Sequence, residues 1–495
     1  MAEGLVAELD ELLRRAAQQA VTQEVRAQLE DARNRLAGPL RLAVAGKVKA
    51  GKSTLLNALL GEELAPTDAG ECTKIVTWYV EGHARQVVVH PHRGSPAVRP
   101  WTRDDGAIDV DLGEWEAADV DHIEVAWPTS RLRELTVIDT PGIASISTEI
   151  SERTHRVLSA EDDRAPVADA VLYLMRHTHA SDVRFLEAFH DDELAHGTPV
   201  NSVGVLSRAD EIGSCRLDAL DVAARIARRY ESDPRLRRLC PVIVPVDGLL
   251  AFAAVSLREA EFAMVAALAR APEEEMAELL LTVDRFVERE TDCLTALERA
   301  HLLDRLGLFG VRLATSLVRE GRCSSSGELA ATLASMSGLD RLRTVVLQQF
   351  LQRSRVLRAR SALSILRDVL RTGGCGDAGR LGAEVEQLSA GTHEFEEVRQ
   401  LSALRSGQLR LTQAQMVELD RVLGGSGHDA ASRLGLPAGA SPAELRDGAL
   451  ASLERWQRVS EHPLSDRAVQ TAARTARRAL EGIVAGLPPE GGEPA

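Results

Sequence analysis

Apolar and polar residues follow two different patterns along this chain. Between residues 40 and 250, short apolar runs are separated by longer stretches in which apolar residues recur with helical spacing. Strands that alternate with helices in this way build a mostly parallel sheet with helices on both faces. This part of the chain is therefore predicted to be an α/β domain. The predicted strands are 40–45, 73–80, 86–90, 120–127, 135–139, 170–175, 203–207 and 242–246.

The remainder of the chain is predicted to be helical. An apolar stripe recurs with helical spacing through residues 3–36, and Gly38-Pro39 ends that helix. Ser441-Pro442-Ala443-Glu444 forms a capping box with proline at the first helical position, so a further helix is expected to begin there. The other helical stretches are 250–372 and 379–424. Turns are expected at 321–326 and at 373–377.

The first apolar run leads into a motif for phosphate binding. Residues 46–53, GKVKAGKS, match the pattern G-x-x-x-x-G-K-[ST], with a strand before it and a helical stretch ending at Gly61 after it. Glycines allow backbone N–H groups to turn inward, and the new helix directs the positive end of its dipole to the same point. We therefore expect a polyphosphate site, with Lys52 on the β- and γ-phosphates and the Ser53 hydroxyl on Mg²⁺.

The strand at 135–139 continues into a second motif, D-x-x-G. Asp139 stands at the strand end, where a carboxylate can hold Mg²⁺ through water. Gly142 can offer its N–H to the γ-phosphate. These two residues extend the expected site to the metal and the terminal phosphate.

A third strand end indicates which base binds. Residues 207–210 read S-R-A-D, where GTPases carry [NT]-K-x-D, and Val246-Asp247 stands where their base-flanking loop falls. The Asp210 carboxylate can accept two hydrogen bonds from guanine, and the stem of Arg208 replaces that of the usual lysine along the base. Adenine offers no such pair of donors, at a cost of roughly 1–3 kcal/mol, so GTP is the expected ligand.

With these motifs the chain resembles a bacterial dynamin-like protein, close to the isoniazid-inducible branch of that family. The stretches that carry the resemblance are 46–53, Thr73 within 71–74, 139–142, 207–210 and 302–314. The GTPase motifs cover about residues 40–250, whereas the helical half is matched mainly by its length, its order and the last of these stretches. The resemblance implies a P-loop GTPase domain joined to an elongated helical neck and trunk, and a role in remodelling or bridging membranes.

The resemblance also implies a division into parts. These are a neck helix at 1–38, a dynamin-type GTPase domain at 39–250, a helical trunk at 251–430, and C-terminal neck helices with a disordered tail at 431–495. Because the family builds its neck from both chain ends, residues 3–36 are predicted to pack against helices near 251–270 and 441–484. The side chains expected to be buried there are Leu9, Leu12, Val21 and Val25. The alternative is a free coiled-coil arm used for dimerisation.

Catalytic roles follow from the same resemblance. Thr73 matches the family's switch threonine, which closes over Mg²⁺ and positions the attacking water; Thr67 and Thr77 lie nearby and are alternatives. Well-studied dynamins carry Gln-Ser in the phosphate loop, where this chain has Val48-Lys49. Val48 cannot organise water, whereas Lys49 can stabilise charge on the β–γ bridge. The departure bears on hydrolysis and not on binding.

The expected site thus contains three overlapping groups of residues. The catalytic residues are Lys52, Thr73 and Lys49, and the metal ligands are Ser53, Thr73 and Asp139. The nucleotide-binding residues are Gly46, Lys49, Ala50, Gly51, Lys52, Ser53, Thr54, Asp139, Gly142, Ser207, Arg208, Asp210, Val246 and Asp247.

Composition restricts the partners and the compartment. At 495 residues the chain is long enough for two or three domains, and its net charge of −15 argues against nucleic-acid binding. The six cysteines are scattered without a C-x-x-C pair, which is typical of reduced thiols. The N-terminus does not read as a signal peptide, and no run of eighteen apolar residues occurs. We expect a cytoplasmic protein, peripheral on the inner face of the cell membrane if the resemblance extends that far.

One segment bears on membrane binding. Residues 341–371 carry eight arginines against one acidic residue, Asp368, and share a helix with apolar residues. A basic amphipathic helix can lie on anionic lipid, but a helix in a bundle that pairs its arginines internally has the same pattern, and we favour the bundle. Anionic membrane lipid is therefore expected as a partner only through the resemblance. The same holds for self-association through GTPase domains, or with a second dynamin-like chain.

The sequence analysis thus favours a dynamin-like GTPase that hydrolyses GTP and couples this to self-assembly and membrane remodelling. Two alternatives stay open. A translation- or ribosome-associated GTPase predicts a basic RNA-binding module, and the sequence contains none. A nucleotide-gated scaffold with little turnover is made credible by Val48.

Overall fold

The computed structural model describes residues 2–66, 75–104, 107–141, 167–176, 201–212, 215–405 and 407–488. Within these ranges the chain folds as a nine-stranded sheet, a small two-stranded hairpin and nineteen α-helices. The strands are β1 Leu40–Gly46, β2 Val76–Glu81, β3 Gln86–Pro91, β4 Ala97–Val98, β5 Trp101–Asp104, β6 Ala107–Val110, β7 Val120–Trp127, β8 Leu135–Asp139, β9 Ala170–Met175, β10 Ser202–Ser207 and β11 Ile243–Val246.

The helices occupy both ends of the chain and its whole second half. They are α1 Ala2–Gln18, α2 Gln23–Ala37, α3 Lys52–Leu60, α4 Ala219–Ser232, α5 Pro234–Leu239, α6 Gly248–Ser256, α7 Glu259–Arg270, α8 Glu273–Leu279, α9 Val283–Glu288, α10 Ala296–Arg319, α11 Ser326–Met336, α12 Leu339–Gln349, α13 Ser354–Arg371, α14 Ala378–Gly391, α15 His393–Arg405, α16 Gln413–Val422, α17 Ala430–Leu434, α18 Pro442–Glu461 and α19 Arg467–Gly486. In the part of the chain described, none of them combines the length and the apolar content needed to cross a bilayer.

The predicted mostly parallel sheet is confirmed. Its strand order is β11-β10-β9-β1-β8-β2-β7-β3-β4, and the five strands from β11 to β8 are all parallel. β2 pairs antiparallel with β8 and parallel with β7, while β3 and β4 complete an antiparallel edge. All eight predicted strands are present, with small shifts at their ends. The pattern missed β4 and the β5–β6 hairpin, because strands this short leave almost no periodic signal.

Helices cover both faces of the sheet, and successive residues of β1 show why. Leu42 and Val44 point into one core cluster with α3 and α12, whereas Ala43 and Ala45 point into the other with α4. Because side chains alternate along a strand, a strand buried on both faces must be apolar throughout. This explains why the central strands read as unbroken apolar runs.

The N-terminal segment departs from the prediction. It forms two helices, since Thr22 accepts a hydrogen bond from the Val25 N–H at 3.2 Å and so begins α2. The α1–α2 hairpin packs its apolar side against α13 and α14. Leu9 and Leu12 are buried as predicted, but Val21 lies in the turn between the helices and is 66% exposed, while Val25 is half-buried.

The predicted bundle of residues 3–36 with the helices near 251–270 and 441–484 is therefore wrong. Among the described residues, the core of the hairpin contains none from those two segments. The α1–α2 hairpin packs instead against α14 and against α13, which belongs to the arginine-rich residues 341–371. The α18–α19 hairpin packs against α15 and α16. Helical periodicity marks a face that must be covered, but it does not say which of several apolar faces covers it.

Several arginines of residues 341–371 donate hydrogen bonds to other elements of the protein. Arg343 donates to the Ala58 carbonyl at 3.1 Å, and Arg358 donates to the Gly38 carbonyl. Arg367 donates to Ser389 at 2.9 Å. Two of these contacts satisfy carbonyl groups at the ends of α3 and α2, which have no partner within their own helices. The bundle interpretation of this segment is thus the one that the structure supports.

The other sequence-predicted boundaries of the helical half are well placed. Turns separate α10 from α11 and α13 from α14 where they were predicted. Ser441 and Glu444 form the predicted reciprocal capping box, with the Ser441 N–H donating to Glu444 at 2.7 Å. The tail from residue 489 onward, predicted to be disordered, lies outside the described residues.

The helical half packs directly on the sheet through the turn between α11 and α12. The Asp247 N–H donates to the Ser337 carbonyl at 3.0 Å, just after β11. Gly338 follows with φ +83°, and a Cβ placed there would lie 2.1 Å from the Pro245 carbonyl oxygen. Only glycine fits this position, because both the backbone angle and the close approach exclude a side chain.

We predict that Gly338→Ala lowers the free energy of unfolding by about 2–5 kcal/mol, since the left-handed backbone costs about 1–2 kcal/mol and the clash adds to it. Gly321→Ala is the matched control, because Gly321 also has a left-handed φ, of +69°, but has no atom within 4 Å of the added Cβ. Urea unfolding of both variants measures the difference. Equal losses would show that the approach to Pro245 is not a constraint.

Candidate functional site

The loop between β1 and α3 is built on unusual backbone angles. Gly46 has φ +153°, and a Cβ there would lie 2.7 Å from the Leu174 carbonyl oxygen of β9. Gly51 caps α3 with φ +87°, and Lys49 between them has φ +62° although it is not a glycine. A left-handed angle costs a non-glycine residue about 1–2 kcal/mol. The loop thus holds Lys49 in a strained conformation of the kind that clusters at functional sites.

Lys52 lies at the start of α3 and reaches back over this loop. Its Nζ donates to the carbonyl groups of Gly46 and Lys47, each at 3.4 Å. Burial lowers the pKa of Lys52, and the charge of Asp139 acts in the opposite direction. The ammonium group is therefore held by weak contacts to two carbonyls, in surroundings where a negatively charged ligand would be bound strongly.

Asp139 ends β8 directly beside the loop. It lies opposite Val44 of β1, and the next residue, Thr140, donates its hydroxyl to the Val44 carbonyl at 3.0 Å. The Oδ1 atom of Asp139 is buried and has no hydrogen-bond partner within the described part of the chain. Burial raises the pKa of Asp139 to about 6, against the opposing charge of Lys52. A buried carboxylate oxygen with no partner, close enough to Lys52 to interact with its charge, fits the hard oxygen donors that Mg²⁺ prefers.

A cavity of about 130 Å³ adjoins the loop and brings together the phosphate loop, the S-R-A-D motif and Val246-Asp247, whereas Asp139 of the D-x-x-G motif does not line it. Its lining residues come from the loop with α3, from β9, from the end of β10 and from the end of β11 with the start of α6. They are Ala50, Gly51, Thr54, Leu55, Leu174, Val205, Ser207, Arg208, Asp210, Glu211, Val246, Asp247, Gly248 and Leu249. The carboxyl ends of parallel strands meet at one edge, and this is where open α/β sheets bind their ligands.

Two carboxyl groups in this cavity favour a ligand with hydrogen-bond donors. Asp247 caps α6 by accepting the Leu250 N–H at 3.0 Å, but its buried Oδ2 has no partner among the residues described. Burial, and then the charge of Asp210, raise the pKa of Asp247 well above its ordinary value. Burial and the charge of Glu211 raise that of Asp210. A donor placed between such groups would relieve both effects.

Glu211 is a residue that the sequence analysis missed. It forms an ion pair with Arg208, and Arg176 lies 3.7 Å away on its other side. Arg208 itself has φ +52°, a left-handed angle that is strained for a residue other than glycine. In the sequence, Glu211 was marked only by its position as an acidic residue directly after Asp210.

Asn57 is a second missed residue. Its side chain accepts the N–H groups of Leu64 and Ala65 at 2.9 and 2.8 Å, and donates to the Ala65 carbonyl at 3.0 Å. It is fully buried in α3, so it fixes the segment that leads towards residue 67. A single asparagine inside an apolar helix is a weak signal, because most such residues are structural.

Some of the predicted residues cannot be placed. Thr73, Gly142 and the alternative Thr67 lie outside the described residues. The other alternative, Thr77, lies on β2 opposite Asp139, and its hydroxyl contacts the Ile75 carbonyl at 3.5 Å. Val48 is 50% exposed at the tip of the loop. All the other predicted site residues lie on the loop, on the first turn of α3 or at the ends of β8, β10 and β11.

Comparison with known proteins finds relatives over nearly the whole chain. The profile of the Dynamin family matches residues 42–195. Isoniazid-induced protein IniC of Mycobacterium tuberculosis is 42% identical over 463 residues, which cover 93% of each chain. A bacterial dynamin-like protein of Nostoc punctiforme is 33% identical over 117 residues, covering 21% of this chain and 17% of that protein.

A solved structure of an oligomerised bacterial dynamin pair, described as a mechanism for the long-range sensing and tethering of membranes, also aligns with the chain. The alignment covers 98% of this chain and 80% of that one, at 13% identity and a TM-score of 0.32.

We predict that Asp139→Asn stabilises the ligand-free protein by about 2 kcal/mol at neutral pH, because it removes a charge from a buried position. The pKa of about 6 lies above the ordinary 3.8. Ionisation of Asp139 therefore lowers the free energy of unfolding of the wild type as the pH rises through roughly 4 to 6. Above that window the loss is complete.

Urea unfolding at about pH 5 and about pH 8 tests this, with the difference between the two proteins growing at the higher pH. Asp447→Asn, on the exposed side of α18, is the control and should change stability at neither pH. A variant at position 139 that is no more stable than the wild type at the higher pH would contradict the prediction.

Proposed function

The chain belongs to the dynamin family, and from that premise we propose that it binds and hydrolyses GTP with Mg²⁺ and couples the cycle to self-assembly and to remodelling or bridging of membranes. The observation that carries the nucleotide part is the single cavity that brings the phosphate loop, the S-R-A-D motif and Asp247 to one sheet edge. The membrane part rests on family membership alone.

In this proposal the phosphate loop binds the triphosphate mainly through its backbone. The left-handed turns at Lys49 and Gly51 allow N–H groups to face one point, which is also the N-terminus of α3. Lys52 would exchange its two weak carbonyl contacts for β- and γ-phosphate oxygens. Ser53, Thr73 and Asp139 would hold Mg²⁺, which neutralises charge on the phosphates when bound.

The base would occupy the adjoining cavity. Asp210 would accept the two guanine donors, and the stem of Arg208 would lie along the ring while its guanidinium stays paired with Glu211. Ser207, Val246 and Asp247 complete the wall. Because guanine presents donors where adenine presents an acceptor, the buried carboxyl groups select GTP over ATP.

Hydrolysis is an in-line attack of water on the γ-phosphorus, and it depends on positioning and charge neutralisation. Thr73 would position the water through its carbonyl, Gly142 would contact the γ-phosphate, and Lys49 would stabilise charge on the β–γ bridge. Val48 stands where other dynamins place a glutamine, and it is 50% exposed with no polar group to offer. This favours a second candidate function, a nucleotide-gated scaffold with little turnover.

We further propose that the GTPase domain spans residues 39–250 and acts on the helical half through β11. The Asp247 N–H and the Ser337 carbonyl connect the base-flanking loop to the α11–α12 turn at 3.0 Å. Gly338 lies against Pro245 in the same turn. A shift of the loop upon base binding would therefore reach α12 directly, and pairing of GTPase domains would amplify it.

We predict that Lys52→Ala abolishes GTP binding and turnover while the fold survives, because it removes the side-chain cation expected at the β- and γ-phosphates. Lys49→Ala is the comparison, and it should retain GTP binding. Its turnover should fall at least tenfold, because one charge that stabilises the β–γ bridge is lost. A steady-state GTPase assay with nucleotide binding in parallel measures both.

The same assay with and without anionic liposomes separates the candidate functions. Turnover that rises on liposomes supports coupling to membranes, whereas tight binding with negligible turnover in both conditions supports the scaffold. Turnover of the Lys52→Ala variant within about twofold of the wild type would remove the loop from the mechanism.

We also predict that Asp210→Asn weakens GTP binding by roughly tenfold or more, since hydrogen bonds to a charged group are lost, and improves binding of xanthosine triphosphate. Asp218→Asn, which lies outside the cavity, should leave both affinities unchanged. Competition binding with GTP, xanthosine triphosphate and ATP gives the result. If ATP competes as well as GTP on the unmutated protein, the S-R-A-D motif does not select the base.

A further inference from the structure

The carboxyl-terminal end of α3 is held by two arginines. Arg343 Nη2 donates to the Ala58 carbonyl at 3.1 Å, and Arg131 Nη1 donates to the Leu59 carbonyl at 2.9 Å. The last carbonyl groups of a helix have no partner within the helix. Cations are also favoured at this end, because the helix dipole is negative there. The two arginines therefore supply both the missing donors and a matching charge.

The two arginines come from different halves of the molecule. Arg131 belongs to the short turn Ser130–Leu132 between β7 and β8, whereas Arg343 lies on α12 in the helical half. Burial, and then the charge of Arg131, lower the pKa of Arg343, while Asp340 at 3.6 Å acts in the opposite direction. Two cations that repel each other thus converge on one helix end. The end of α3 is a junction between the sheet and the helical half.

The opposite end of α3 carries the expected phosphate and metal ligands. The helix begins at Lys52, and Ser53 follows in its first turn. With nine residues, α3 is about 13 Å long. Its backbone hydrogen bonds leave no joint between its ends, so the helix moves as one body. Whatever fixes its carboxyl-terminal end therefore also fixes the phosphate loop.

α12 contacts the other side of the nucleotide site as well. In the turn before this helix, the Ser337 carbonyl accepts the Asp247 N–H at 3.0 Å, next to the base cavity. Arg343 follows less than two helical turns later. Between these two contacts, apolar residues of α12 share one buried cluster with apolar residues of α3. α12 thus connects the base-flanking loop to the helix that carries the phosphate loop.

We propose that Arg343 is a positioning residue of the nucleotide site, which holds α3 and its phosphate loop in a fixed position relative to the base cavity. The inference rests on the proposed function, because it concerns the same site. Arg343 does not line the base cavity, so its effect passes through α3. Misplacement by about 1 Å can slow a reaction about a hundredfold. Turnover should therefore depend on Arg343 more than nucleotide affinity does.

Hydrogen exchange of the ligand-free full chain tests the contact itself. Arg343→Met keeps an apolar stem but removes the cation and the donor to Ala58. We expect the amides of residues 52–60 to exchange at least about fivefold faster, the effect of one lost charge-assisted hydrogen bond. Arg341→Met is the matched control, because Arg341 lies on the same helix, is exposed and has no hydrogen bond to α3 among the described residues. It should change exchange by less than about twofold.

Steady-state GTP turnover tests the consequence for the reaction. In Arg343→Met we expect kcat to fall about tenfold while KM changes less than about threefold. Arg341→Met should match the wild type. Melting curves establish that each variant is folded at the assay temperature. A role in stability alone would leave kcat of the folded protein unchanged, so this split separates positioning from stability.

The conservative variant Arg343→Lys provides the rescue. Lysine keeps a cation and a hydrogen-bond donor at the end of α3, although without the planar fork of arginine. We expect both the exchange of residues 52–60 and kcat to return to within about threefold of the wild type.

Three results would overturn the inference. The first is exchange of residues 52–60 in Arg343→Met that equals the exchange in Arg341→Met. The second is wild-type kcat in Arg343→Met, and the third is a kcat of Arg343→Lys as low as that of Arg343→Met. A wild type that turns over GTP no faster than Lys52→Ala would instead contradict the proposed function. The exchange measurement would then decide by itself whether Arg343 positions α3.

Discussion

The close parallel packing of β1 between β8 and β9 is the constraint on which the nucleotide site depends. At Gly46 the backbone of β1 approaches the Leu174 carbonyl so closely that a Cβ would be 2.7 Å from it. Asp139 lies opposite Val44 on the other side. The loop that follows must therefore turn at a fixed place, between a carboxylate and the base cavity. A bulkier residue at position 46 would move the loop and both helical layers together, because the strand is buried on both faces.

Buried carboxylate oxygens without a hydrogen-bond partner occur at two positions of the sheet edge. Asp139 and Asp247 each hold one, counted among the described residues. A fold that is selected only for stability would avoid hydrogen bonds left unmade in this way. They are consistent with a ligand that brings hydrogen-bond donors and a cation to this edge.

The two halves are joined by packing and not by a loose linker. The apolar cluster on one face of the sheet includes three residues of α12, Leu339, Leu342 and Val346. Gly338 packs closely against Pro245 in the turn before that helix. The α1–α2 hairpin is fixed in a similar way, since Arg35 forms a buried ion pair with Asp169 at 3.2 Å beside the start of β9. A displacement of the nucleotide site would therefore be transmitted to α12 and to the N-terminal helices through these direct contacts.

The sequence by itself determined the main elements and the position of the phosphate-loop motif. Apolar runs located the main strands, and the spacing of glycine, lysine and serine in residues 46–53 defined the loop, because that motif needs its strand and helix on either side. Capping chemistry placed the start of α18 for the same local reason. Such signals are readable because each depends on neighbours within a few residues.

The tertiary structure alone decided which faces meet. The apolar stripe of residues 3–36 was visible, but its partners proved to be α13 and α14 and not the C-terminal helices. The packing also accounts for two charges of the arginine-rich segment, since Arg358 donates to a carbonyl at the end of α2 and Arg343 donates to one at the end of α3. Periodicity records that a side chain is buried, whereas its partner is set by the packing of the whole chain.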